Sequence, residues 1–267
     1  LISGNSGDGV RIQAAGAVVA GNLIGMNATG IGGFGNGGDG IKVLDAAATV
    51  IGCGNGAPQV PGIACGNVVG KNGGAGIRFS GANADLAYVF PGWIGTDTTG
   101  TIPLGNAGPG VLIEQGAGRV NLGSRGFSEV TTIAFNGGAG VAITGNGIAN
   151  FFSGALIFGN TGLNIDLGND GPTLNDPCDA DTGPNTLENK PVLTQISSVA
   201  GTFHVLGTYE TALGLGLAST IEYFTSPSCD PSNPAAIRPT GDASQIDNQG
   251  ACTVPFDHAL DSLTAHL

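Results

Sequence analysis

The chain has 267 residues, of which 50 are Gly and 14 are Pro, with 41% hydrophobic residues, 10% charged residues and a net charge of −12. Gly far above the usual ~7% breaks helices at about 1 kcal/mol each, which excludes a helical bundle. The Gly residues do not recur at every third position, which excludes collagen, and Val, Ile and Leu are spread too evenly for disorder.

The chain opens Leu1-Ile2-Ser3-Gly4-Asn5, with neither Met nor a signal peptide, and reads as a mature or excised piece. From there a Gly followed by an apolar-x-apolar triplet recurs: Gly9-Val10-Arg11-Ile12, Gly40-Ile41-Lys42-Val43, Gly76-Ile77-Arg78-Phe79, Gly110-Val111-Leu112-Ile113, Gly140-Val141-Ala142-Ile143 and Gly162-Leu163-Asn164-Ile165. The intervals are 31, 36, 34, 30 and 22 residues, and Asn5, Asn36, Asn72, Asn106, Asn136 and Asn160 precede the phrases. Two further apolar phrases fall within the intervals, as in Asn22-Leu23-Ile24-Gly25 and Thr49-Val50-Ile51-Gly52. Three short strands per interval, repeated, predict a right-handed parallel β-helix of about five to six coils over residues 1–165. The first and third residue of each triplet face the core and the middle one faces out. Gly and Asn are expected to supply left-handed corners, and the Asn side chains to stack as a hydrogen-bonded ladder. An uncapped end of such a helix would expose a sheet edge and favour self-association.

The phrases Gly92-Trp93-Ile94-Gly95, Thr96-Asp97-Thr98-Thr99-Gly100-Thr101 and Pro103-Leu104-Gly105-Asn106 resemble the repeat of bacterial secreted or surface proteins built on parallel β-helices. Asn175-Asp176-Pro177 through Asp181-Thr182-Gly183-Pro184-Asn185, followed by Pro191-Val192-Leu193-Thr194, resembles the entry to the β-sandwich module that often follows. The resemblance implies an all-β chain: an acidic linker over 166–185, then a small β-sandwich-like module over 186–267, with strands Val192–Val199, Thr202–Tyr209 and Thr220–Phe224. It also implies an extracellular or cell-surface location.

Residues 1–165 carry six basic and seven acidic residues, whereas 166–267 carry two and thirteen. So acidic a half suits neither nucleic acid nor an anionic membrane, and no stretch reaches the ~20 apolar residues of a membrane span. Of five Cys, the spacing suggests Cys53 with Cys65 and Cys229 with Cys252 as loop staples, leaving Cys178 over and implying an oxidising compartment.

Chemistry has few footholds. The outward residues Arg11, Lys42 and Arg78 stack three cations, near Asp8 and Asp39, and read either as a groove for an anionic polysaccharide or as a solvated column of weak ion pairs. Asp166, Asp170, Asp176, Asp179 and Asp181 supply the hard oxygens that Ca2+ requires, or merely a solvated linker. Glu114 and Glu129 near Arg119 and Arg125 are the carboxylates that a glycosidase could use. Tyr88, Phe90, Trp93 and Phe127 could stack sugars, with Trp93 expected in the core. His204, His258 and His266 all lie outside the repeat, and His204 reads as a surface strand residue. Two functions stand: a non-catalytic region for display, adhesion or glycan contact, and a polysaccharide lyase or glycoside hydrolase acting in a groove on the side face.

Overall fold

A computed structural model describes residues 1–52, 65–123, 130–199, 202–210, 219–222, 243–246 and 253–260. Its first strands are β1 (Val10–Ile12), β2 (Val18–Val19) and β3 (Leu23–Ile24), followed by β4 (Ile41–Leu44), β5 (Val50–Ile51) and β6 (Val68–Val69). Then come β7 (Ile77–Ser80), β8 (Tyr88–Val89) and β9 (Trp93–Ile94), and β10 (Val111–Glu114), β11 (Asn121–Gly123) and β12 (Thr131–Ala134). The series closes with β13 (Val141–Ile143), β14 (Phe151–Ser153), β15 (Ala155–Phe158) and β16 (Ile165–Leu167). Each successive triplet gives one strand to each of three parallel sheets, ordered β1-β4-β7-β10-β13-β16, β2-β5-β8-β11-β14 and β3-β6-β9-β12-β15. This order is compatible with a parallel β-helix.

Period-two alternation turns like residues of successive triplets onto one another. In the first sheet Ile12, Val43, Phe79, Ile113, Ile143 and Leu167 stack in register. In the third, Ile24, Val69, Ile94 and Ile133 do the same, each at most 2% exposed. Both columns join one apolar cluster with Ile51, Val89 and Leu122 of the second sheet. A fully buried side chain of this kind contributes about 1.5–3 kcal/mol.

The register is held by asparagine. The Nδ2 of Asn5, Asn36, Asn72, Asn106 and Asn136 each donates to the Oδ1 of the next Asn in the row, ending at Asn160, at 2.8–2.9 Å. Each backbone N–H in the row donates to the same oxygen. The second Nδ2 proton of Asn106 and Asn136 reaches the carbonyls of Val69 and Ile94 in the third sheet. Asn36, Asn72, Asn106 and Asn136 are buried, so the ladder satisfies polar groups that would otherwise be orphaned.

The ladder corrects one expectation. Asn160 lies 24 residues after Asn136, and Val141 N–H donates to Asn164 O as Val111 N–H does to Gly140 O. Asn164 therefore fills the glycine position of the last triplet, and Ile165 and Leu167, not Leu163 and Ile165, are its inward residues. Gly162 belongs to a different column, two residues after the ladder Asn, in which Gly162 N–H donates to Gly138 O and Gly138 N–H to Gly108 O. In the interior a Cβ on Gly110 would lie 2.4 Å from Ile133 Cγ2 and 2.7 Å from Gly140 O. Among the described residues no strand follows β16 in its sheet, so the last glycine position meets no such neighbour there and accepts Asn.

The left-handed corners are also less glycine-bound than composition suggests. The residue before the ladder Asn is left-handed at Gly4, Gly35 and Gly159, but equally at Lys71 (φ 62°) and Phe135 (φ 62°). A strain of about 1–2 kcal/mol is tolerated at Phe135, whose ring meets Phe158 edge-on at 5.6 Å.

The chain divides into two compact units. Leu1–Pro172 with Gly183–Asn185 forms the first, and Thr173–Thr182 goes with the strands that follow. Those strands are β17 (Val192–Val199), β18 (Thr202–Glu210), β19 (Ser219–Glu222), β20 (Ala243–Ile246) and β21 (Thr253–Leu260). They make an antiparallel sheet β17-β18-β21 and a β19-β20 pair. Two short 3-10 turns, Pro177–Asp179 and Pro184–Leu187, precede them. No helix of the described residues is long and apolar enough to cross a membrane.

Replacing Asn106 by Ala removes two accepted and two donated bonds and strands buried donors, and should cost about 3–5 kcal/mol. Asn5→Ala, at the exposed end of the row, should cost ~1 kcal/mol or less. Chemical denaturation of both variants measures the difference. By the same assay Gly110→Ala should destabilise by about 1–3 kcal/mol or more through overpacking, while Asn164→Ala should stay within ~1 kcal/mol.

Candidate functional site

The outward residues of the first sheet run Arg11, Lys42, Arg78, Leu112, Ala142 and, by the corrected register, Asp166. Beneath the cations sits Asp39, 3% exposed. Its Oδ1 accepts the Ala75 N–H at 2.8 Å and Arg78 Nη2 at 3.1 Å, and its Oδ2 accepts Arg78 Nε at 2.6 Å. Lys42 Nζ stands 3.9 Å from the same Oδ2. The remaining Arg78 nitrogen, Nη1, donates to Glu114 Oε1 at 3.1 Å. Burial works against the Arg78 charge, but Asp39 and then Glu114 more than restore it, so its pKa is raised. Asp8 bonds no cation of the row; its Oδ1 accepts the Asp39 N–H at 2.9 Å. Arg11 is exposed and forms no ion pair among the described residues. Two of the three cations are therefore tied to the chain's own acids.

Of the carboxylates and cations grouped by the sequence, Glu114, Arg119 and their partners are described. Glu114 is bound to Arg78, Arg119 pairs with Asp85 instead, and Glu129 and Arg125 lie outside the described residues. His204 is half-buried in β18, opposite Ser197 and Ala259. His258 stands in β21 and His266 lies outside the described residues. A cavity lined by Ile51, Asn67, Val89 and Thr131 measures about 10 Å³, room for one water and not for a sugar.

The aromatics separate. Tyr88 faces out from the second sheet in register with Val18, Val50, Asn121 and Phe151. Its ring stacks on Phe90 at 5.5 Å and 2°. Phe151, 54% exposed, extends this row; it follows Asn150 in an apolar stretch that carries no repeat phrase. Phe127 lies outside the described residues. Trp93 does not enter the central core. It faces out of the third sheet and packs with Leu23, Val68, Met26 and Leu104 in a separate cluster, because Ile94 takes the inward place in the two-residue alternation. Asp97 holds the loop that delivers Leu104: it accepts the N–H groups of Thr101 and Ile102 and the hydroxyl of Thr99. Burial alone would raise the Asp97 pKa, but these donors, led by the Ile102 N–H, hold it below the ordinary carboxylate range.

The five linker aspartates fall into two groups. Asp166 Oδ1 accepts the N–H groups of Asp170 and Gly171 within the first unit. Asp176, Asp179 and Asp181, in the second, bring ligand oxygens within 4.8 Å of one another. Burial, then Glu188, Asp181 and Asp176, raise the Asp179 pKa against the opposing Asn189 N–H; burial and Asp176 raise that of Asp181. Cys178 is not a spare thiol: it stands in a disulfide bond, and Cys65, separately, stands in one too. Cys53, Cys229 and Cys252 lie outside the described residues.

The chain matches no protein family, no curated protein and no solved structure.

A carboxylate whose folded pKa is depressed stabilises at high pH, and its contribution disappears as pH falls through that pKa. Asp97→Asn should therefore be less stable than the native chain by ~1 kcal/mol at pH 7, with the gap narrowing as pH drops below about 4. Denaturation midpoints across pH 3–7 measure it.

Proposed function

We propose that the chain is a non-catalytic repeat region of a bacterial secreted or cell-surface protein, serving display, adhesion or glycan contact. In this reading the three parallel sheets wind as a right-handed parallel β-helix, the hand that parallel crossovers almost always take. The strands from Val192 onward form the β-sandwich-like module. The location is extracellular or at the cell surface, supported by the disulfides at Cys65 and Cys178.

The observation that carries the proposal is the state of the cation row. Lys42 and Arg78 converge on buried Asp39, and every donor group of Arg78 that faces an acid is engaged by Asp39 or Glu114. An anionic sugar would have to displace Glu114 and Asp39, and Asp39 also holds the Ala75 N–H. Charges arranged in this way act as struts between triplets. The outward row of Val18, Val50, Tyr88, Asn121 and Phe151 is the better surface for a neutral glycan, because aromatic faces stack on the C–H faces of sugar rings.

One observation favours the alternative of a polysaccharide lyase or glycoside hydrolase: Arg78 and Glu114 lie side by side on an outward face. Size-exclusion chromatography of a polysaccharide panel incubated with the protein separates the readings. Co-elution without shortening is expected, and should be lost in Tyr88→Ala and Phe151→Ala. Shortened chains, abolished in Arg78→Ala or Glu114→Gln, would overturn the non-catalytic reading. Unchanged elution would remove the glycan and leave display.

A further inference from the structure

The segment that leads into the second unit contains an unresolved electrostatic problem. Asp176, Asp179 and Asp181 offer oxygens within 4.8 Å of one another, and Asp179 is only 5% exposed. Asp176 Oδ2 accepts the Ala180 N–H at 3.1 Å, and Asp179 Oδ1 accepts the Asn189 N–H at 2.8 Å. Asp176 Oδ1 and Asp181 Oδ1, by contrast, are shut off from solvent and accept no hydrogen bond. Buried polar atoms without partners are rare and call for an explanation, a bound ion being one of them. Asp179 is buried and Asp176 and Asp181 are half-buried, so three like charges this close repel more than they would in open water. No basic side chain among the described residues forms an ion pair with them; Lys190 Nζ donates instead to Thr173 O at 3.0 Å.

We propose that Asp176, Asp179 and Asp181 bind a calcium ion. The inference is independent of the display function. The donors are all carboxylate oxygens, which select a hard cation over zinc or copper. The one sulfur in the segment, that of Cys178, is committed to a disulfide and offers no thiolate. Carboxylates on irregular loop backbone suit the six to eight ligands and variable geometry of calcium better than the strict octahedron of magnesium. The loop is already pinned for the purpose. Asn189 accepts the Asp176 N–H at 2.9 Å, donates Nδ2 to Asp176 O at 2.7 Å, and gives its own N–H to Asp179. The ion would lock this segment onto the start of β17, neutralising acids in a region where the chain has few cations. Asp166 and Asp170 belong to the first unit and are not among the carboxylates whose oxygens converge.

The test uses the whole 267-residue chain, stripped with EDTA and titrated calorimetrically with calcium chloride, then magnesium chloride, with thermal unfolding in each. One calcium per chain, a higher Tm with calcium and weaker binding of magnesium are expected. Asp181→Asn, which removes a charge but no hydrogen bond, should weaken calcium binding about tenfold or more, while Asp170→Asn should leave it unchanged. Absence of calcium binding up to ~10 mM, well above the dissociation constants of weak extracellular sites, would overturn the proposal. So would equal affinity of Asp181→Asn and the native chain, or magnesium binding as tightly as calcium.

Discussion

The row of six asparagines from Asn5 to Asn160 is the constraint on which the first unit depends. A parallel stack with intervals of 24 to 36 residues has no sequence-local way to keep its register. A slip of one residue would turn every inward side chain outward. The carboxamide prevents this because it has a donor and an acceptor on one short arm. It can bind the Asn above and the Asn below and still spare a proton for a carbonyl of another sheet, as Asn106 and Asn136 do. The variable loops between triplets are then free to differ in length, since the ladder closes each interval at the same point.

The ladder also sets what may stand beside it. The close approach of one triplet to the next explains the glycine column through Gly110, and the end of the stack explains why Asn164 escapes it. Asp39 works in the same way in the next layer out. Its carboxylate binds Ala75 of the following triplet and so becomes a fixed, buried anion, which draws Lys42 and Arg78 inward. The cation row is thus largely a consequence of stacking. The outward face that stacking leaves uncommitted is the apolar and aromatic row of the second sheet.

The second unit is organised differently. Its sheet is antiparallel, with Tyr209 and Val205 buried, and its entry is governed by short polar contacts. Asn189 bonds both Asp176 and Asp179, and Tyr209 donates its hydroxyl to Glu188. Asp176, Asp179 and Asp181 gather there with no ion pair to a basic side chain among the described residues, the reverse of the arrangement around Arg78.

Much of the architecture was legible in the sequence, because a stacked repeat writes its inward positions as recurring apolar pairs and its ladder as recurring Asn. The strands of the first sheet from Val10–Ile12 to Val141–Ile143, and Val192–Val199 further on, fall where the sequence reading placed them, whereas Val18–Val19 and Thr131–Ala134 carry no repeat phrase. The last triplet is disguised in the sequence because Gly162 imitates the glycine of the phrase, and the bond between Asn136 and Asn160 shows which glycine it is. The inward or outward sense of Trp93 depended on a register that two residues of strand cannot reveal. The site was less legible still. Sequence could gather Arg11, Lys42 and Arg78 into a row and five aspartates into a segment, because period and proximity are properties of the chain. Which acid neutralises which cation, and which aspartates bring their oxygens together, depends on distances between residues 36 to 39 apart along the chain or on the path of an irregular turn. Electrostatic energy follows distance and burial, and those were decided by the tertiary structure alone.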